Sequence, residues 1–185
     1  MKTRALLILV LGLWLGGSVV TGAVVSYNFS GFPDLFERNP ALAERAGFDP
    51  LDTESKKTSL LWVHASELNR VFFAGWNRAQ LVLGVLAVVL AVVSRAGRLT
   101  AVLLFLALVL VAMVHFGIEP EVVALGRQLD FLPRTPEPPQ VAPFQRLHGL
   151  YFSTELVRLA LVAFAAVRLI HGARTWADGR GPIGS

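Results

Sequence analysis

The chain has 185 residues, 54% of them hydrophobic and only 16% charged, with a mean hydropathy of +0.58. This excludes an ordinary soluble domain and predicts an all-α integral membrane protein. Cysteine is absent, which rules out a disulfide framework, a thiolate nucleophile and cysteine metal ligation, and despite a net charge of +4 there is no basic stripe with interleaved aromatics to receive nucleic acid.

Four apolar runs are predicted to cross the membrane, at 5–26, 71–94, 99–118 and about 147–170. Each is near the ~20 residues that a helix needs to span a ~30 Å hydrocarbon core. The first run also has the basic start and small Thr21 and Ala23 of a cleaved signal peptide. Its apolar character continues through Val24 and Val25, which favours a retained span. The loop 27–61 follows, with "FPDLFERNP" predicted as a short amphipathic surface helix that has Pro33 in its first turn and Leu35 and Phe36 against the membrane. Next come "DPLDTESKKTS", a polar stretch, and "SLLWVHASE", the start of the second long helix.

"SRAGR" is a tight turn between spans two and three, suited by Gly97. After span three the loop 119–143 repeats the proline-plus-acid opening in "IEPEVVALGRQLDFLP", again predicted as a surface helix, and "PRTPEPPQVAP" reads as an extended linker. Residues 174–185 read as a short tail. Short-loop Lys and Arg, namely Lys2, Arg4, Arg95, Arg98, Arg168, Arg174 and Arg180, place both termini in the cytoplasm and the two long loops outside, for a multi-pass protein of the cell membrane. Trp62, Trp76 and Trp176 are expected as interfacial anchors, and Gly12, Gly16, Gly17 and Ser18 as a closely packed helix face.

The informative part of the chain is its polar content inside the spans. At about 100° per residue, His148, Tyr151, Glu155 and Arg158 fall within an arc of roughly 80° on span four. Intramembrane ionisable groups almost always face a bundle interior. Counted at ~1.5 Å per residue, Glu155 lies ~10 Å and Arg158 ~15 Å below the outer boundary, with Asn77, Arg78 and Gln80 of span two in the same outer half and His115 level with His148. Together these residues predict an outer-half polar pocket. His64, Glu67 and Arg70 sit above span two as its cap.

Three readings of the pocket follow. In the first, Glu155 pairs with Arg78 or Arg158, and the pocket fixes which helices are neighbours. In the second, His115, His148 and Glu155, with His64 and Glu67, bind a transition metal; haem between His115 and His148 is a variant of this. In the third, the pocket handles a proton or a small solute, and a blind cavity of this kind conducts only if the protomer oligomerises or rearranges. There is no nucleophile with a base in its own motif, no phosphate loop and no zinc-protease pattern. The expectation is therefore a non-enzymatic membrane protein, without a fixed cofactor, whose partner is the lipid bilayer, with a homo-oligomer admitted by the third reading.

"FQRLHGLYFSTELVRLALV" resembles the last-helix motif of a family of uncharacterised four-helix membrane proteins, bacterial domains of unknown function related to eukaryotic transmembrane proteins associated with platinum-drug resistance. Phe144, Leu147, His148, Gly149, Ser153 and Leu156 carry the resemblance, and Glu155 stands where that family usually has Asn. The resemblance implies a four-span plan with an amphipathic piece after the first span and a linker before the last; stress tolerance stands beside solute or proton handling as an expected role of the pocket.

Overall fold

The computed structural model describes residues 2–31, 38–45, 54–130, 132 and 136–177. The described residues form helices and the turns between them. These are α1 (Lys2–Gly31), the short α2 (Pro40–Arg45), α3 (Glu54–Val93), α4 (Arg98–Met113), α5 (Glu119–Leu129) and α6 (Val141–Ala177), with a wide π turn at Val114–Ile118 joining α4 to α5. Four stretches are long and apolar enough to cross a membrane: Lys2–Gly31, Leu60–Val93, Arg98–Leu129 and Val141–His171. They pack as a ring in which α1 meets α3, α3 meets α4, α4 meets α6, and α6 closes on α1.

The sequence dictates this arrangement through where it can and cannot bury side chains. Leu9, Val20, Val82, Val89, Phe105 and Phe164 are exposed on the outer surface of the ring, which only a lipid environment makes favourable for so continuous an apolar belt. Inside, Leu7, Leu11, Ala87, Ala91, Leu104, Ala107, Val162 and Ala165 form a wholly apolar core. Close approach is set at two glycines. A Cβ on Gly17 would fall 2.1 Å from the Trp76 ring, and one on Gly84 would fall 2.9 Å from Leu108 and 3.0 Å from Trp14. Gly12 and Gly16, expected on the same packed face, are exposed and have open space beside them.

The α3–α4 turn is built by a Schellman cap. The Arg95 amide donates to Val92 O at 3.1 Å and the Ala96 amide to Ala91 O at 3.0 Å, which requires Arg95 to adopt φ 51. A glycine would take that conformation without a side-chain penalty. Here the Arg95 carbonyl accepts a hydrogen bond from Arg4 Nη2 at 3.2 Å, tying the start of α1 to the turn. Gly97 follows at φ 98. The α1 start, this turn and the Leu169 end of α6 therefore share one end of the bundle, the terminus end, and the two long connections share the other, the loop end.

Several boundaries differ from the sequence reading. The residues 119–129 form the expected proline-started amphipathic helix, but it continues α4 through the π turn instead of standing apart as a separate surface helix. The last helix begins at Val141, about two turns before residue 147, and runs to Ala177, past the expected start of the tail. The surface helix expected at Pro33, Leu35 and Phe36 lies outside the described residues, as do tail residues 178–185.

Candidate functional site

Apart from Thr100 near the start of α4, the buried polar residues of the spans occupy the loop-end half, directly against the apolar core of the other half. The deepest is Arg158, whose side chain is 0% exposed. A guanidinium cannot shed its charge, so burial demands compensation. Glu155, one turn earlier on α6, supplies it: Glu155 Oε2 accepts from Arg158 Nε at 3.1 Å and from Nη2 at 2.5 Å. Nη2 also donates to Ser18 Oγ of α1 at 2.9 Å, and the guanidinium carbon lies 5.7 Å from the centroid of the Trp14 ring, a cation–π distance. Arg158 Nη1 and Glu155 Oε1 are buried and unpartnered among the described residues.

From Trp14 the hydrogen bonds continue toward the loop end. Trp14 Nε1 donates to Gln80 Oε1 at 3.0 Å, and Gln80 Nε2 donates to Asn77 Oδ1 at 3.2 Å. Asn77 is the hub. Its Nδ2 donates to Glu119 Oε2 at 2.8 Å and lies 3.0 Å from Tyr151 Oη, which in turn donates to Asn77 Oδ1 at 3.1 Å. Glu119 Oε2 also meets His115 Nδ1 at 2.9 Å. Asn77 and Gln80 are both 0% exposed. At positions i and i+3 they share a helix face, so this part of α3 is buried where its side chains have partners on α1, α5 and α6.

A cavity of about 90 Å³ opens above this hub, walled by Phe29, Phe73, Val122, Val123 and Phe144, with Asn69, Glu119 and Tyr151 among its polar groups. Phe73 stands edge-on to Tyr151 with centroids 5.4 Å apart. Above it, Arg70 binds Asp130 through two hydrogen bonds of 2.8 and 3.1 Å and Glu67 at 2.6 Å, while Arg127 Nε donates to Glu67 at 3.2 Å. This cluster fastens α3 to the end of α5. Asn28 of α1 donates to Asn69 Oδ1 of α3 at 2.8 Å, and Asn69 donates back to Val25 O at 3.4 Å.

The structure therefore brings together Tyr151, Glu155, Arg158, Asn77, Gln80 and His115, with Glu67 and Arg70 as the cap. Arg78 does not join them. It is exposed, because with Asn77 and Gln80 turned inward the residue between them must point out, so Glu155 pairs with Arg158 of its own helix and not with Arg78. His148 is exposed and stacks on Phe144 at 5.6 Å beside the cavity, and His64 is exposed on α3. Among the described residues no three His, Asp or Glu side chains converge as a metal-ligand group. Trp14, Glu119, Asp130 and Asn69 belong to the constellation without having been singled out in the sequence, and they are joined by Asn28 and by Ser18, which was expected only on a closely packed helix face.

Fold and site together define a multi-pass helical membrane bundle with a hydrogen-bonded polar half and an apolar half. Comparisons with models of protein families, with curated proteins and with solved structures returned no match to this chain.

Proposed function

We propose that this chain is a non-enzymatic membrane protein that holds a small solute with one polar end in its loop-end cavity, with both termini cytoplasmic and the cavity toward the outer face. The observation that carries this reading is the cavity itself: about 90 Å³ with aromatic and aliphatic walls and a few convergent polar groups, the usual make-up of a small-molecule site. Its polar groups are held by neighbours on three helices, so they are set before a ligand arrives, which lowers the ordering cost of binding. The Lys and Arg distribution supports the orientation. The apolar core below Trp14 supports a binding role over an open conduction path, because it offers no polar route to the terminus end.

The test is purification in mild detergent followed by native mass spectrometry, solvent extraction, metal analysis and an absorption spectrum. Wild-type protein is expected to carry a small molecule that Val122→Trp, which fills the cavity, releases while keeping its helical circular dichroism. A wild-type protein that carries nothing and shows no thermal shift with any small solute sinks the proposal. A stoichiometric transition metal or a haem absorption band would replace it with the histidine and carboxylate reading.

A further inference from the structure

One charged side chain plays no part in the polar network. Arg78 is exposed on α3, within a stretch apolar enough to span the membrane, and has no hydrogen-bond or ion-pair partner among the described residues. Its neighbours on that surface are Val71, Val82 and Val85, all exposed, so it faces lipid. A lone guanidinium surrounded by hydrocarbon costs several kcal/mol or must reach something anionic.

What it reaches follows from depth and from its position on the helix. Measured from the level of Arg4, Arg95 and Arg98, a ~30 Å hydrocarbon layer takes up ~20 residues of helix, which puts Arg78 and His115 ~5 Å below its far boundary. That is a distance over which an arginine snorkels to the headgroup region. Directly above it lies a second, wider cavity of about 310 Å³ between α3 and α5, lined by Glu67, Val71 and Ala74 on one wall and His115, Pro120 and Arg127 on the other. At 100° per residue, Arg78 falls within the arc spanned by Glu67, Val71 and Ala74, one turn below Ala74. It therefore lies on the same face one turn below the residues that line this wall, just under the lower edge of the groove. The Arg127 side chain, 62% exposed, stands at the top.

We propose that the groove between α3 and α5 binds the headgroup of an outer-leaflet phospholipid, with Arg78 holding the phosphate through its forked N–H donors. The groove is flanked by exposed apolar Val71, the cation just below it has no protein partner among the described residues, and the guanidinium geometry matches phosphate oxygens better than any neutral headgroup. Its mixed-charge wall leaves the rest of the headgroup a hydrogen-bond acceptor in Glu67, whose Oε1 is the atom shared by Arg70 and Arg127. The site is independent of what the loop-end cavity holds, and its leaflet follows from the orientation proposed above.

The experiment is native mass spectrometry of the full chain in detergent, titrated with a phospholipid and, separately, with a diacylglycerol of the same acyl chains. Wild-type protein is expected to retain the phospholipid and not the diacylglycerol. Arg78→Gln should weaken retention about tenfold, and Arg78→Lys by less. Excess inorganic phosphate should not displace the lipid; displacement would mean a free-anion site and overturn the lipid assignment. Equal retention of diacylglycerol, or no loss in Arg78→Gln, would overturn the proposal as well. If Arg78→Gln fails to fold, Ala74→Trp blocks the groove with the charge left in place. It too must lose the phospholipid, and undiminished retention counts against the site.

Discussion

The buried pair on α6 gives the sharpest test. In Glu155→Leu, Arg158 keeps Ser18 and the Trp14 face but loses both bonds to its carboxylate, leaving a permanent charge at a side chain that is 0% exposed. Removing one partner of such a pair costs about 3–5 kcal/mol. Arg158→Met is milder. The Glu155 side chain left behind is 17% exposed, and a lone carboxyl can be neutralised by a proton whereas a guanidinium cannot, so about 1–3 kcal/mol is expected. The double variant replaces the pair with apolar groups and should lose about 1 kcal/mol or less. The coupling energy of the cycle is then about 3 kcal/mol or more. Unfolding in mixed detergent micelles, followed by tryptophan fluorescence, measures all three. Additive single losses, or an Arg158→Met variant worse than Glu155→Leu, would refute the pairing argument.

Other substitutions probe other parts of the bundle. Gly17→Ala forces a Cβ to 2.1 Å from Trp76 and should cost about 1–3 kcal/mol in the same assay, with Trp76→Leu in that background restoring most of it. Asn77→Leu strips partners from Gln80, Glu119 and Tyr151 at once, so it should cost about 2–3 kcal/mol, against about 1 for Tyr151→Phe, which keeps the Phe73 contact. Arg95→Gly relieves a non-glycine residue at φ 51 and should raise stability by about 0.5–1 kcal/mol, read as a higher melting temperature. Because the chain has no cysteine, Arg98→Cys and Glu121→Cys can be labelled directly in whole cells; an impermeant dye should reach the second and not the first, and the reverse would overturn the orientation.

The span count and the inward stripe of α6 were legible in the sequence because hydropathy and a 100° step decide them without knowledge of neighbours. The partners were not. Glu155 and Arg158 are three residues apart and satisfy each other locally, yet the expectation left Arg78 open beside Arg158, because a depth count gives the level of a residue and says nothing of its azimuth. Asn77 and Gln80 contain the missing signal: if both face inward, Arg78 cannot. Trp14 escaped notice because an indole in an apolar run looks like core, and only its bond to Gln80 shows it linking the α6 charges to the α3 amides. Glu119 was placed in a surface helix of the outer loop, with Pro120 in its first turn; that helix forms, but as a continuation of α4 that brings the carboxylate to Asn77.

The π turn at Val114–Ile118 explains why Glu119 ends up where it does. Along α4 the inward positions are Thr100, Leu104, Ala107, Val111 and Val114, a 4-3-4-3 rhythm that would next fall at 118, 121 or 122, and 125. After the turn the rhythm resumes about one residue late, with Glu119 on Asn77 and with Gly126 and Leu129 buried. A π turn takes up one extra residue, so these five residues act as a shim that rotates the loop-end portion of a single rod by about 100° relative to the terminus-end portion. The two portions of the rod thus have separate phases: substitutions can retune the polar hub around Glu119 without disturbing the terminus-end seam, and straightening the shim into regular α-helix would bring Ile118 to the hub and turn the carboxylate away, whereas deleting one residue within the shim would keep Glu119 facing Asn77.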